Sequence, residues 1–241
     1  MCTVSYIPNA NDAGFVLTSN RDEKSFRPTV VPQIYTIGKL KVGFPKDVQA
    51  GGSWIAANGN GRLCCLLNGA FVAHEKKPPY TQSRGTVLLE LISSESDASD
   101  FFQEKDLLGI EPFTMITLEQ HEATVRHFSE LIWDGTSKHF RKLNPEESYI
   151  WSSVTLYGDE HRHLRKQWFD RFLQEHSGDL SPENILKFHS GSHTGDHSIN
   201  VIMEREGGLK TVSITQLVPE NGKFRMKYHD LHKLENTEIE I

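Results

Sequence analysis

Residues 1–23, MCTVSYIPNANDAGFVLTSNRDE, set the reading of the whole chain. Thr3–Ile7 and Phe15–Ser19 are rich in apolar and β-branched residues, and Pro8–Gly14 between them is rich in Asn, Asp and Pro. Strand, turn, strand is the expected order. For a hairpin centred near residue 11, paired residues sum to about 22, so Ile7 faces Phe15 and Cys2 faces Asn20; such partners lie about 5 Å apart. The polar cluster Asn20-Arg21-Asp22-Glu23 closes the second run. It is either a solvated turn or a set of side chains delivered to a thiol.

The second possibility has chemical content. A cysteine is small enough for removal of the preceding methionine, which would leave Cys2 with a free α-amine. That amine has an ordinary pKa of about 8 and a thiol about 8.5. One residue then holds a nucleophile and a base for its proton. A guanidinium nearby, such as Arg21, favours thiolate. A carboxylate such as Asp22 can hold or orient the amine. The plain alternative is a small residue that happens to occupy position 2.

Further along, Ser53–Ala57 and Arg62–Leu67 flank Asn58-Gly59-Asn60-Gly61 and predict a second hairpin. These strands are apolar on successive residues, which predicts burial on both faces. With a pairing sum of about 119, Asn68 would lie opposite Gly51, and Gly51 and Gly52 would leave room for a substrate or another backbone. Helices are expected over Gly85–Ser93, Asp97–Leu108 and Asp159–His176, and after the cap Ser181-Pro182-Glu183. Phe113–Arg141, Ile199–Glu204, Leu209–Leu217 and Lys223–Tyr228 read as strands, with Asp134-Gly135 as a tight turn. Hairpins with helices arriving in pairs indicate an α+β fold of two layered antiparallel sheets. There is no Gly-x-Gly-x-x-Gly and no Gly-Lys-Ser/Thr loop.

The 241 residues are expected to form one domain, 1–241. A net charge of −6 favours neither nucleic acid nor an anionic membrane as partner. No apolar stretch is long enough to span a bilayer. Three cysteines do not make a disulfide framework, and with no visible signal peptide the expected location is the cytoplasm.

The literal Asn20-Arg21-Asp22-Glu23, with Cys2 after Met1, resembles the NRDE family, bacterial relatives of the eukaryotic transport-and-Golgi-organisation proteins. Gly51-Gly52-Ser53-Trp54-Ile55 is similar to that family's Gly-Gly-Thr-Trp segment. "ANGNGRLCCLLN" (57–68) is similar to its following hairpin, Ser83-Arg84-Gly85 to its next marker, and "KTVSITQL" (210–217) more weakly to its end. That family in turn resembles the N-terminal-nucleophile hydrolases, particularly the cysteine branch with bile-salt hydrolases and penicillin V acylases. The resemblance implies a four-layer αββα sandwich and cleavage of a non-peptide amide through an acyl-thioester. It implies Cys2 as nucleophile, Arg21 and Asp22 as its neighbours, and Asn68 as donor to the oxyanion. Asn20, Gly51, Gly52, Trp54 and Ser153 are the expected substrate-binding positions. Two departures stand out. Arg21 and Asp22 are adjacent, unlike the hydrolase pair, and "YIWSSVTLY" (149–157) has Ser153 where an amide is expected. No match is found for the hydrolases' C-terminal arginine.

No cofactor is required by this chemistry, and the expected partner is a small-molecule substrate or ligand; an oligomer is compatible with the sequence. His189, His193 and His197 have the spacing of a zinc-binding helix face, but the glycines and Asp196 between them favour a loop, at most a rim of the substrate mouth. No metal is expected. Cys64-Cys65 lacks metal spacing and reads as buried apolar surface. "HRHLRK" (161–166) reads as a solvated helix face. Trp54, Trp151 and Trp168 read as core, with Trp54 able to border the pocket. The leading expectation is an N-terminal cysteine hydrolase; the alternative is a non-catalytic protein on the same scaffold that binds a lipid-like or haem-like molecule.

Overall fold

The structure is a computed structural model, and it describes residues 3–8, 14–121 and 124–241. Cys2 therefore lies outside the described residues. The elements in order are β1 (Thr3–Pro8), β2 (Phe15–Lys24), β3 (Thr29–Ile37), β4 (Leu40–Asp47), β5 (Ile55–Asn58), β6 (Arg62–Asn68), α1 (Arg84–Ser93), α2 (Ala98–Glu104), β7 (Phe113–His121), β8 (Thr124–Trp133), β9 (Lys138–Lys142), β10 (Tyr149–Ser152), α3 (Asp159–Glu175), α4 (Pro182–Ser190), β11 (Glu204–Arg205), β12 (Leu209–Glu220), β13 (Lys223–Asp230) and β14 (Glu235–Glu240).

Every described strand pairing is antiparallel. One sheet runs β10-β1-β2-β12-β13-β14, with β11 beside β12, and the other runs β3 through β9 in chain order. Three apolar clusters fix the layering. Val4, Tyr6, Phe15, Leu17, Met226 and Tyr228 of the first sheet pack against Ile55, Leu63, Cys65 and Ile116 of the second and against Trp54, which precedes β5. The outer face of the second sheet (Ala56, Cys64, Met115) is covered by Val87, Leu88 and Leu91 of α1 and Phe102 of α2. The outer face of the first (Ile7, Val16, Val218) is covered by Phe169 and Phe172 of α3 and Ile185 and Phe188 of α4. The result is the αββα sandwich, with both sheets buried on both faces. The two adjacent cysteines illustrate the strand period: Cys65 enters the inter-sheet core and Cys64 the core under α1. Burial raises both thiols, Cys65 to about 12.

The helix caps form as their residues dictate. Ser83 accepts from the Thr86 N–H at 3.2 Å and Ser181 from the Asn184 N–H at 3.4 Å, with Pro182 opening α4. Where β5 meets α1, Gly52 and Gly85 pack backbone to backbone. A Cβ on Gly52 would lie 2.4 Å from the Gly85 carbonyl carbon, and one on Gly85 would lie 2.7 Å from the Ser53 carbonyl oxygen.

Several expectations are corrected. The first hairpin pairs Thr3 with Asn20 and Ile7 with Val16, one residue off the expected register. The second pairs Ile55 with Cys65, a sum of 120 (55 + 65), and its ladder does not reach Gly51; Asn68 pairs instead with Phe113. Ile199–Glu204 is not a strand except at Glu204–Arg205. The carbonyls of Ile199, Asn200 and Val201 are taken by the side chains of Arg165 and Asn20 rather than by a ladder. "HRHLRK" is not simply a solvated face, because Arg165 is fully buried.

Candidate functional site

The polar cluster is not a turn. β2 continues through Asn20, Arg21 and Asp22, all buried, because each finds partners across two different layers. Alternation along the strand sends Arg21 to one face and Asn20 and Asp22 to the other. Arg21 enters the space between the sheets. Its Nη2 donates to Asp47 Oδ2 at 2.7 Å and its Nη1 to Thr29 Oγ1 at 3.0 Å, and its guanidinium sits 4.4 Å from the Trp54 ring centroid. Burial alone would raise the Asp47 carboxyl, but the Ala50 N–H and the Arg21 and Arg27 guanidinia outweigh it and hold the group below its ordinary value.

Asp22 points into the helical layer. It accepts from the Tyr157 hydroxyl at 2.8 Å and from Thr211 Oγ1 at 2.6 Å. Asn20 sits beside it. Its amide nitrogen donates to the His189 and Val201 carbonyls at 3.0 and 2.9 Å, so its Oδ1, 2.7 Å from His189 Nδ1, is an acceptor. His189 Nδ1 must then carry the proton, leaving Nε2 to accept from Ser5 Oγ at 2.7 Å. This Ser5–His189–Asn20 chain has the order of a hydrolytic triad, yet all three residues are fully buried, and it ties β1 and β2 to α4. Burial, with His193 and Arg165 adding to it, pushes the His189 imidazole down to about 3, so it is neutral.

A cleft of about 750 Å³ opens where β10 and α3 of one half face β8 and β9 of the other. Asn68 and Ser153 line it; Asn20, Arg21, Asp22, Gly51, Gly52 and Trp54 do not. Its apolar surface comes from Leu67, Phe71, Ile132, Ile150 and Trp151, and its rim carries Arg141, Arg162 and Lys166. Trp151, expected in the core, is half-buried here and donates to Glu130 Oε1 at 2.8 Å. Asn68 ends β6. Its carbonyl accepts from Ser153 Oγ at 2.7 Å, and its side-chain amide bonds to nothing among the described residues. Gly69 follows with a φ of +84°, and a Cβ there would lie 2.4 Å from Val154 Cγ2, so the turn beside Ser153 needs glycine.

The cleft and the cluster meet along β1. Thr3 pairs with Asn20 on one side and with Ser152, a cleft residue, on the other. Of the residues expected to share one cavity, Asn68 lines this cleft together with Ser153, whereas Arg21 and Asp22 do not line it and are buried on opposite faces of β2. Gly52 is filled by the backbone of Gly85, leaving no room for a substrate, and Gly51 is exposed with a φ of +71°.

The three histidines part company. His189 lies on α4, His193 stacks on Trp168 in the following loop, and His197 is exposed. Among the described residues no group of three or more His, Cys, Asp or Glu side chains is placed to hold a metal. No helix among them is long and apolar enough to cross a membrane.

The sequence reading missed Tyr157, Thr211 and Arg165. The first two carry no local signal, since their partner Asp22 is more than a hundred residues away. Arg165 does: it stands four residues before Phe169 and seven before Phe172, on the face that α3 buries.

The whole chain is similar in fold to a conjugated bile acid hydrolase from Clostridium perfringens, crystallised as its C2A mutant, at 10% identity and a TM-score of 0.63, covering 100% of this chain and 92% of the other. A penicillin V acylase from Agrobacterium tumefaciens aligns at 10% identity and a TM-score of 0.59, covering 100% and 86%. The Caenorhabditis elegans ortholog of N-acylethanolamine-hydrolyzing acid amidase aligns at 13% and 0.58, covering 90% and 93%. No curated protein sequence matches the chain. These likenesses establish an N-terminal-nucleophile-hydrolase-like sandwich. Residues 1–224 match the Transport and Golgi organisation 2 family, and this chain belongs to that family.

Proposed function

We propose that this chain is a cysteine hydrolase that cleaves a non-peptide amide or related acyl bond in a small molecule, with Cys2 as its nucleophile after loss of Met1. One observation carries the reading: Thr3, covalently next to Cys2, is paired with a residue of the cleft, and the Asn68 amide, which has no partner among the described residues, lines that same cleft. Consecutive Cα atoms are about 3.8 Å apart, so on this reading the nucleophile is tethered directly to a residue that pairs with the cleft strand. The hydrolase, acylase and amidase neighbours support the reaction class, and the bile acid hydrolase solved as its C2A mutant has a cysteine at the same ordinal position.

In this reading the α-amine of Cys2 takes the thiol proton while sulfur attacks the carbonyl carbon. Charge develops on the carbonyl oxygen, where the Asn68 amide donates to it; such a donor is worth about 10²–10³ in rate. The amine then gives its proton to the leaving nitrogen, the carbon–nitrogen bond breaks, and a thioester remains. Water adds to that thioester, releasing a carboxylic acid and restoring the thiol. Arg21 and Asp22 act from behind the strand. Arg21 supplies positive charge between the sheets, and Asp22 fixes Tyr157 and Thr211 about the start of β1.

The test is a panel of acyl-amides and lactones with wild-type protein and Cys2→Ala, alongside intact-mass measurement. The expected result is a mass lacking methionine and turnover that Cys2→Ala abolishes. Turnover unchanged in Cys2→Ala, or active protein that keeps Met1, overturns the reading. Ligand binding retained by both proteins with turnover in neither identifies a non-catalytic binding protein.

A further inference from the structure

Arg165 is buried completely in α3, although a guanidinium out of water is costly unless an anion offsets it. Among the described residues no carboxylate pairs with it. Its Nη1 donates to the Thr3 hydroxyl, its Nε to the Ile199 carbonyl at 3.1 Å and its Nη2 to the Asn200 carbonyl, while its flat face lies 3.5 Å from the Tyr157 ring centroid. Among the described residues the charged and titratable groups near it include Tyr157 itself, Asp22 reached through the Tyr157 hydroxyl, Arg205 on the same ring at 5.1 Å, and neutral His189. Stitching a hydroxyl to two carbonyls needs donors but no charge. A full positive charge kept at this depth has its use in what stands next to it, and the group it grips is Thr3, the residue after Cys2.

We propose that Arg165 is a positioning residue for the N-terminal nucleophile. It pins the start of β1 through Thr3 and holds there a positive charge that no carboxylate among the described residues pairs with directly, which favours the thiolate. The proposal rests on the reading of Cys2 given above. It also gives the basic segment 161–166 two separate duties: Arg162 and Lys166 face the cleft, whereas Arg165 faces the strand.

The experiment is peptide-resolved alkylation of Cys2 by iodoacetamide across pH, in full-length wild type, Arg165→Gln, Arg165→Lys and Thr3→Val, with thermal unfolding followed in parallel. A rise of one unit in thiol pKa lowers the thiolate fraction about tenfold at neutral pH. Arg165→Gln is expected to slow alkylation at pH 7 by up to about tenfold and to raise its pH midpoint by about one unit. Arg165→Lys recovers most of the midpoint. Thr3→Val slows the reaction several-fold without moving the midpoint, because the charge stays. A folded Arg165→Gln with wild-type rate and midpoint overturns the proposal while leaving the hydrolase reading intact. If the Arg165 variants do not fold, an unchanged rate in Thr3→Val overturns it instead. A wild-type Cys2 no faster than a free cysteine peptide overturns both.

Discussion

Acid should weaken this fold through one imidazole. His189 is fully buried and bonded at both ring nitrogens, to Asn20 and Ser5, in its neutral form. Folding lowers its pKa from 6.5 to about 3. The unfolded chain therefore binds a proton that the folded chain refuses. The stabilisation is intact above pH 6.5 and drains away as the pH falls toward 3. With these two values, linkage removes about 2 kcal/mol between pH 7 and pH 5, and about 3 kcal/mol by pH 4. Carboxylates such as Asp47, depressed in the fold, add their own loss at lower pH, so the comparison must be made against a variant. His189→Gln should cost about 1–3 kcal/mol at pH 7 through its imperfect hydrogen bonds. It should also lose about 2 kcal/mol less than wild type on going to pH 5. Urea unfolding followed by circular dichroism at the two pH values reads both quantities. Parallel pH dependences in the two proteins, within about 0.5 kcal/mol, would refute the argument.

Other consequences follow from particular contacts. Gly52→Ala drives a methyl into the Gly85 backbone and should cost at least about 2 kcal/mol in urea unfolding, whereas Gly178→Ala, with open space at its Cβ, should be neutral or stabilising. Asp47→Ala strands the buried Arg21 guanidinium and should cost about 3–5 kcal/mol by the same measurement. Cys64 and Cys65 should resist Ellman's reagent until the protein unfolds, so that two thiols become reactive at the denaturation midpoint and not before. On the proposed mechanism, Asn68→Ala should lower kcat by about 10²–10³ with little change in KM, because the amide binds charge formed only during reaction. A loss confined to KM would place Asn68 in ground-state binding instead.

The parts of the fold that announce themselves locally are legible in the sequence. The hairpins at 3–24 and 55–68, the capped helices at 84–93 and 182–190, and the strands doubly buried in the sandwich all carry period, cap or turn chemistry. What escapes is set by distant partners. β4 contains Gly43 and Pro45, which argue against a strand, and its glycine is explained only by Ile239 and Ile241, whose side chains occupy the space of a Cβ. β14 reads ENTEIE, too charged to look like a strand, and it survives as an exposed edge. The segment 199–201 has the composition of a strand, but side chains of Arg165 and Asn20 claim its carbonyls. The candidate site divides the same way. Asn68 and Ser153 were within reach because one ends a hairpin and the other follows a short strand. The faces of Arg21 and Asp22 depended on a register that an error of one residue inverts.

Asn20-Arg21-Asp22-Glu23 looks like a single word, but the strand deals its letters alternately into two interiors. In related chains, changes at position 21 should travel with positions 47 and 54, while changes at 20 and 22 should travel with 189, 157 and 211. A search that scores the four letters as one unit therefore blends two independent pressures, one from the facing sheet and one from the helices.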